Sequence, residues 1–362
     1  MNIPVLVTMV MTLLILGATL IALPSLSRPT VPLGVSVPST RADDPVVRAA
    51  LARYRITIGL LMVIALTGAL ATLQWPLALA WWALGLLAAG MATFVVCRRP
   101  IQRAKAEQDW YAGLTVRLVA PLSPVEPAPV SWLLHLLALG LTLLSALVVT
   151  VAFPSLPDPL PTHYGADGVP NAWEPKSLAT ALLVPAVAVA STVLLATLAA
   201  VLARRIDPQP GDGHPGVAKS VRDDQRHLLQ RTLGLTNLAS AALLGFAAVV
   251  PVLNLAPSAL SVLVWGGTAL TVIPGVWLIL RTARLQRDAR RAPSGSGPES
   301  PDDDRLWIGG LFYYNPSDPS FTVPKRAGVG YDLNLGHPAG MAFLVGSALL
   351  VLGLVVAPFI FR

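Results

Sequence analysis

The sequence predicts an all-α polytopic membrane protein with eight transmembrane helices and a small three-stranded β-module on the cytoplasmic side. Three observations lead to this fold class. The 362 residues are 54% hydrophobic and 12% charged, whereas soluble domains usually carry about 25% charged residues. The apolar residues come in eight blocks of about 20, the length that a helix needs to cross a bilayer core of about 30 Å. Finally, 24 of the 26 Lys and Arg residues fall in every second gap between the blocks, with Arg281, which lies at the very end of the seventh block, counted in the gap that follows it.

Each apolar block predicts one transmembrane helix. The blocks lack the strict polar alternation of a transmembrane β-barrel. No Lys or Arg precedes the first block, unlike a secretory signal peptide, so we interpret it as a spanning helix. The predicted helices cover residues 3–24, 56–73, 77–97, 132–153, 178–203, 235–256, 258–282 and 340–361.

The charge pattern predicts the orientation of these helices. Short loops rich in Lys and Arg stay in the cytoplasm. The odd-numbered gaps are basic, whereas the fourth gap contains only Lys176 and the second and sixth contain no Lys or Arg. We therefore expect odd-numbered gaps to be cytoplasmic, and loop 154–177 and both termini to be extracellular. The net charge of +7 then indicates attraction to the lipid bilayer, and the dispersal of the basic residues argues against a nucleic-acid partner.

The same pattern divides the chain into segments. A stretch rich in Pro, Ser, Gly and acidic residues predicts a linker before the β-module. In order, the segments are three helices with basic loops at 1–131, a helix-loop-helix at 132–203, helices six and seven at 204–290, the linker at 291–304, the β-module at 305–338 and the last helix at 339–362.

Loop 154–177 is the first candidate functional segment. Its six prolines fix the backbone, so we expect a short rigid loop. Its polar and aromatic residues predict a surface that recognises an extracellular ligand. In the alternative, structural interpretation, His163 and Asp167 hold the loop against helix ends. One histidine supplies too few ligands for a typical zinc site, and we expect neither a metal nor another cofactor. The candidate ligand-binding residues are His163, Tyr164, Asp167, Asn171, Trp173 and Lys176.

The loop also carries a sequence motif formed by Leu156, Pro157, Asp158, Pro161, Thr162, His163, Tyr164, Gly168, Asn171, Trp173 and Lys176. This motif resembles that of a bacterial membrane domain of unknown function, which forms the N-terminal part of proteins of the SdpI-type family, the immunity proteins against a sporulation-delaying toxin. The resemblance implies a bacterial plasma-membrane protein whose loop faces outside and meets a molecule such as an antimicrobial peptide. Tyr164 replaces the commoner Phe or Trp. The later, immunity half of the family is not recognised, because residues 33–38 match its signature only faintly.

The segment after the linker is the second candidate. Residues 312–314 and 321–323 flank the turn sequence at 315–318, and residues 330–335 alternate in polarity, which together predict a three-stranded sheet. The extended stretch 30–37 is a candidate fourth strand.

The β-module carries a second motif, formed by Trp307, Gly310, Phe312, Tyr313, Asn315, Pro316, Asp318, Pro319, Lys325, Arg326, Gly328 and Gly330. This motif resembles that of a second short bacterial domain of unknown function. Lys325 and Arg326 are candidates for binding lipid phosphate or a cytosolic regulator, with Tyr313 and Asn315 beside them. A structural plug between helices is the alternative.

The interiors of the predicted spans contain no Asp, Glu, Lys or Arg, which disfavours an ion-driven transporter. His135, one turn inside the fourth helix, is either a proton relay or, more simply, an interfacial histidine that reaches lipid headgroups. No nucleophile–base pair or metal-ligand motif is visible, so we expect no enzymatic activity. The sequence favours a sensor, an immunity-like protein or a regulator. A transporter or permease, suggested by eight spans with mid-helix Pro185 and Pro274, is the alternative.

Overall fold

The structure, a computed structural model, describes most of the chain and is mainly helical. The described residues are 3–75, 78–114, 128–165, 168–204, 215–253, 255–291, 302–326 and 331–360.

Eight α-helices lie within these ranges, and each overlaps one predicted span. Seven of them are long and apolar enough to cross a membrane, which indicates a multi-pass membrane protein. In the last helix the apolar stretch identified among the described residues is the shorter segment Pro338–Leu349, so the eighth span stays a prediction. The helices are α1 (Ile3–Leu26), α2 (Pro45–Ala71), α3 (Ala78–Glu107), α4 (Trp132–Ala152), α5 (Leu178–Ala203), α6 (Pro215–Leu253), α7 (Pro257–Arg291) and α8 (Pro338–Ile360).

Four helices extend well beyond their apolar blocks, and one of them is α7, which ends at Arg291. α2 begins at Pro45, where the Asp44 side chain accepts a hydrogen bond from the Val46 N–H at 3.0 Å and caps the first turn. α3 continues to Glu107 and α6 begins at Pro215. Hydropathy marks the part of a helix that lies in lipid, whereas the helix itself continues as long as its backbone bonds and caps allow.

Within the described ranges, six short strands form three antiparallel pairs. β1 (Leu160–Tyr164) pairs with β2 (Pro170–Glu174), so loop 154–177 contains a hairpin that the prolines did not predict. In the β-module, β3 (Trp307–Ile308) pairs with β4 (Phe312–Tyr313), and β5 (Thr322–Pro324) with β6 (Tyr331–Leu333). A single parallel bridge, between Tyr313 and Asn334, links the two pairs.

The prediction of one three-stranded sheet is therefore corrected to two strand pairs. The chain turns back immediately after β3 because Gly309 and Gly310 adopt φ of 62° and 75°, a left-handed conformation that a continuous strand excludes. The predicted strand at 30–37 is also wrong. It contains a 3₁₀ turn, Pro32–Gly34, in which Leu33 has φ 48° and Gly34 has φ 69°.

The described helices fall into two compact units. The α2–α3 unit comprises Met9–Leu122, Asp207–Ala218 and Ala283–Arg362, and it includes the β-module. The α4–α5 unit comprises Met1–Thr8, Ser123–Ile206 and Lys219–Thr282.

Within the α2–α3 unit, small side chains let α2 and α3 approach closely. Ala65 and Ala69 are buried on α2. The Trp82 ring of α3 lies directly over Gly68, and its Nε1 donates a hydrogen bond to Thr72 Oγ1 at 2.9 Å. A Cβ at Gly68 would lie 2.1 Å from this ring, so the position has no room for a methyl group.

We predict that Gly68→Ala destabilises the helix pair, because the added Cβ overlaps the Trp82 ring and overpacking costs about 1–3 kcal/mol. The apparent melting temperature of the full chain in detergent, followed by loss of the monodisperse peak in size-exclusion chromatography, should fall by roughly 5 °C.

Gly59→Ala is the matched control. It adds the same methyl group to the same helix, where nothing lies within 4 Å of the new Cβ. Since Ala is favoured over Gly in a helix, this variant should melt at the wild-type temperature or slightly above it. Equal melting temperatures for the two variants would contradict the packing.

Candidate functional site

The first candidate site is the α4–α5 hairpin, which we define as residues 160–174. Its base is buried: Leu156 and Leu160 pack in one apolar cluster with Val149 of α4 and Ala248 of α6. The hairpin is therefore an extension of the helix core. Its position follows from the packing of the helices that flank it.

Lys176 fixes the base of the hairpin. Its Nζ donates hydrogen bonds to the carbonyl oxygens of Pro154 at 3.0 Å and Leu156 at 2.7 Å, and it lies 5.3 Å from the centre of the Phe153 ring. Carbonyl oxygens at a helix end lack intrahelical donors and carry partial negative charge, so a lysine there is stabilising. Lys176 thus has the anchoring role that the structural interpretation gave to His163 and Asp167.

The tip of the hairpin packs against the start of α7. Gly168 adopts φ 79°, and a Cβ there would lie 2.1 Å from the carbonyl oxygen of Pro257. The Gly168 N–H donates to the Gly165 carbonyl at 2.9 Å, and the Gly165 N–H donates to Val169 at 2.8 Å, which closes the turn. Asp167 lies outside the described residues. The hairpin is held at both ends.

Between its fixed ends the hairpin exposes the predicted recognition residues. His163 and Asn171 are exposed, and His163 Nδ1 lies 2.5 Å from Asn171 Oδ1. Since an amide oxygen only accepts, Nδ1 is the donor in this hydrogen bond. Trp173 is 52% exposed. Tyr164 is half-buried, and burial raises the pKa of its phenol.

This arrangement offers several kinds of contact to a ligand. An imidazole, an amide and an indole offer hydrogen bonds and an apolar face, and the described partner of His163 is an amide, which is neither a base nor a nucleophile. Within the residues that the structure describes, no three His, Cys, Asp or Glu side chains are grouped so that they could hold a metal ion.

The second candidate site, the β-module, is organised around Asn334, which is fully buried. Its Nδ2 lies within 3.1 Å of the carbonyl oxygens of Asn315, Asp318 and Ser320. Its Oδ1 accepts from the N–H groups of Asn315 at 3.1 Å and Gly336 at 2.9 Å. One amide side chain therefore fixes three turns of the module, a role that the alternating pattern of β6 did not indicate.

An ionic cluster ties the β-module to α3 and to the loop after α1. Asp304 accepts from Lys105 Nζ at 2.7 Å, from Arg326 Nη2 at 2.7 Å and from the Ser36 N–H at 2.8 Å. Asp303 accepts from Arg326 at 2.5 Å. These residues define what we call the Asp304 cluster, and they come from four distant parts of the sequence.

The charges in the Asp304 cluster balance. Burial raises the pKa of the Asp304 carboxyl, but Arg326, Lys105 and the Ser36 N–H together lower it by more, so its pKa lies below the ordinary value. Asp302 also accepts from Lys105, at 2.7 Å. The residues 302–304, which their composition assigned to a linker, thus belong to the folded module.

Arg326 and Lys325 differ in their surroundings. Arg326 is 2% exposed, stacks 5.4 Å from the Trp307 ring centre and bonds to Ser36 Oγ, so its partners are intramolecular in place of the lipid or regulator suggested by the sequence. Lys325 is partly exposed and lies 3.6 Å from Asp332. Lys325 is therefore the more exposed of the two cations, and its binding to a partner stays a prediction.

The two other predicted contact residues lie inside the β-module. Tyr313 is buried and donates to Asp318 Oδ2 at 3.0 Å, while Asn315 Nδ2 donates to the Tyr313 hydroxyl at 3.1 Å. Burial raises the pKa of Tyr313. These bonds favour the structural interpretation for Tyr313 and Asn315.

A third polar group, formed by His135, Asn237 and the Thr192 carbonyl, lies inside the α4–α5 unit. The sequence indicated His135 as a candidate but not its two partners. His135 is 3% exposed, so it does not reach out to headgroups as the simpler interpretation of the sequence expected. Asn237 Nδ2 of α6 lies 2.8 Å from His135 Nδ1 and 3.1 Å from the Thr192 carbonyl of α5. The signal for Asn237 was available: an amide in an apolar helix usually faces another helix.

The fold and these sites define a multi-pass helical membrane protein with two polar modules. Two family models match parts of it. Residues 140–189, which include the hairpin, match the domain of unknown function DUF1648. Residues 316–341, in the β-module and the start of α8, match the family of unknown function DUF5808. No curated protein and no solved structure matches the chain.

The first match includes the segment that carries the first resemblance and the second overlaps part of the segment that carries the other, and both identify domains without an assigned function. Together they cover less than half of the chain. The SdpI-type relationship stays a prediction.

We predict that Asp304→Asn loosens the β-module from α3 and from the loop at Ser36. The substitution keeps the size of the side chain and removes the charge that Lys105 and Arg326 share, and breaking a largely buried ion pair costs about 3 kcal/mol. Hydrogen exchange measured by mass spectrometry should accelerate about 100-fold in the peptides that contain Ser36 and Trp307.

Asp302→Asn is the matched control for this prediction. Asp302 pairs with the same lysine but its side chain is 42% exposed, and an exposed pair contributes about 1 kcal/mol or less. Exchange in this variant should stay within a few-fold of wild type. If Asp304→Asn exchanged no faster than Asp302→Asn, the cluster would not hold the module.

Proposed function

We propose that this protein is a plasma-membrane sensor that recognises an extracellular molecule through the α4–α5 hairpin. The observation that carries the proposal is a hairpin fixed at both ends with its recognition residues left exposed. Lys176 holds the base and Gly168 packs the tip on Pro257, while His163, Asn171 and Trp173 face outward. A surface that is already ordered loses little conformational entropy when a ligand binds.

The chemistry of the hairpin favours a cationic peptide as the ligand. Trp173 offers an exposed indole and Glu174 an exposed carboxylate next to it. Basic and apolar side chains of an antimicrobial peptide would complement that pair, through cation–π contact and ion pairing.

The hairpin also has a route to the helices. It connects α4 directly to α5, and its tip contacts the start of α7. A ligand that binds one arrangement of these three helices more tightly than another would shift the equilibrium between them. We infer that the response reaches a cytosolic regulator through the β-module, which the charge pattern predicts to be cytoplasmic and where Lys325 is partly exposed.

We predict that Trp173→Ala weakens peptide binding while the protein still folds. Large exposed aromatic residues at binding sites typically contribute roughly 2 kcal/mol or more, so affinity should fall about 30-fold. The measurement uses the full chain in nanodiscs, a panel of cationic amphipathic antimicrobial peptides labelled with fluorescein, and fluorescence anisotropy.

Trp75→Ala is the control, because Trp75 is exposed to a similar degree (63%) in the connection between α2 and α3. It should bind the peptides as wild type does. The proposal is abandoned if no peptide of the panel binds more tightly to the wild-type nanodiscs than to empty ones, or if both tryptophan variants lose binding equally.

The second candidate function is transport, and the buried polar group of the α4–α5 unit favours it. His135 and Asn237 are paired at 2.8 Å, and the Nε2 of His135 and the Oδ1 of Asn237 have no hydrogen-bond partner within the described structure. Unpaired polar atoms inside a bilayer are costly and often mark a pathway. This function would not require the exposed hairpin.

If the protein carries protons, Asn237→Leu should abolish the flux, because it removes the hydrogen-bond partner of His135. Proteoliposomes loaded with pyranine and subjected to a pH step would report the rate. Thr268→Val, which alters an exposed helical hydroxyl in the same unit, should leave that rate unchanged. A wild-type rate equal to that of empty liposomes would exclude proton transport.

We propose no enzymatic activity for the hairpin, since the described hydrogen-bond partner of His163 is the Asn171 amide.

A further inference from the structure

A groove of about 370 Å³ lies between α4 and α5, within the α4–α5 unit. Its walls are the apolar side chains of Leu136 and Leu139 on α4 and of Val193, Ala196 and Ala200 on α5. Its volume is in the range of pockets that bind small molecules, about 300–1,000 Å³.

The groove has one polar end. Trp132 begins α4 and Arg204 follows the last residue of α5, so both mark the same end of this antiparallel helix pair, and both line the groove. Arg204 is exposed. A tryptophan and an arginine at one end of an apolar helix pair are typical of the level of lipid headgroups.

The length of the groove fits one leaflet. It extends along α5 from Arg204 back to Thr192, about 18 Å at 1.5 Å per residue. The hydrocarbon of one leaflet is about 15 Å thick, half of the bilayer core. The groove therefore reaches from headgroup level to about the middle of the membrane.

His135 adds a polar group below the headgroup level. Asn237 is oriented by the Thr192 carbonyl, which accepts from its Nδ2 at 3.1 Å, and the same Nδ2 faces His135 Nδ1 at 2.8 Å. Nδ1 is then the acceptor, so Nε2 carries the proton. That N–H has no partner within the described structure, and His135 lines the groove one turn below Trp132.

We propose that this groove binds one anionic phospholipid. The phosphate pairs with Arg204, an acyl chain lies between α4 and α5, and a glycerol ester oxygen lies at the level of His135. The charge of Arg204 selects an anionic headgroup over a zwitterionic one. The acyl chain covers apolar side chains in a groove that is otherwise open between two helices.

The test is native mass spectrometry of the full chain in detergent with equal amounts of dioleoyl phosphatidylglycerol and dioleoyl phosphatidylcholine. The fraction of protein that retains one phosphatidylglycerol should exceed the phosphatidylcholine fraction about fivefold, the ratio expected for one basic side chain at a headgroup. Arg204→Gln should remove that preference. Ala196→Phe, which fills the groove, should remove retention of both lipids.

Two controls keep the test specific. Arg281→Gln removes an exposed cation of α7 that does not line the groove, and Leu194→Phe enlarges a lipid-facing residue of α5 outside it. Both should retain phosphatidylglycerol as wild type does. Equal retention of the two lipids by the wild type overturns the proposal. So does an unchanged preference in Arg204→Gln, even where Ala196→Phe fails to fold.

Discussion

The Asp304 carboxylate is the interaction on which the α2–α3 unit depends. It lies between Lys105 of α3 and Arg326 of the β-module, and it also accepts the Ser36 N–H of the loop after α1. A largely buried arginine such as Arg326 needs a counter-charge, because an unpaired ion in a protein interior costs several kcal/mol. Because Asp304 supplies that counter-charge and also binds Lys105 and Ser36, it holds the module, the loop and α3 together.

Backbone geometry makes that arrangement possible. Gly34 and Gly310 both have positive φ, and a Cβ at Gly34 would lie 2.5 Å from the Gly310 carbonyl oxygen. The loop and the module thus touch backbone to backbone, and Arg98 donates to the Gly34 carbonyl at 3.2 Å beside them. Larger side chains would separate the two segments and move Ser36 away from Asp304.

The α4–α5 hairpin is also fixed by satisfied polar groups and by close backbone contact, but the groups involved differ. In place of buried ion pairs, Lys176 satisfies carbonyl oxygens just after the end of α4, and a glycine lets the tip approach Pro257.

The sequence predicted which segments are apolar, and all eight helices of the described structure overlap those predictions, because hydropathy depends on nearby residues alone. It also placed both polar modules at the segments that the family models match.

What the sequence did not predict depends on contacts between distant residues. The bond between Lys105 and Asp304 joins residues 199 positions apart, and that between Arg326 and Ser36 spans 290. Composition cannot separate an acidic run that is solvated from one that neutralises a buried arginine, so residues 302–304 were assigned to a linker. Asn237 poses the same problem inside the α4–α5 unit: its partner His135 lies on another helix, 102 residues away. A polar residue in an apolar helix indicates that a partner exists, and only the packing of the helices identifies it.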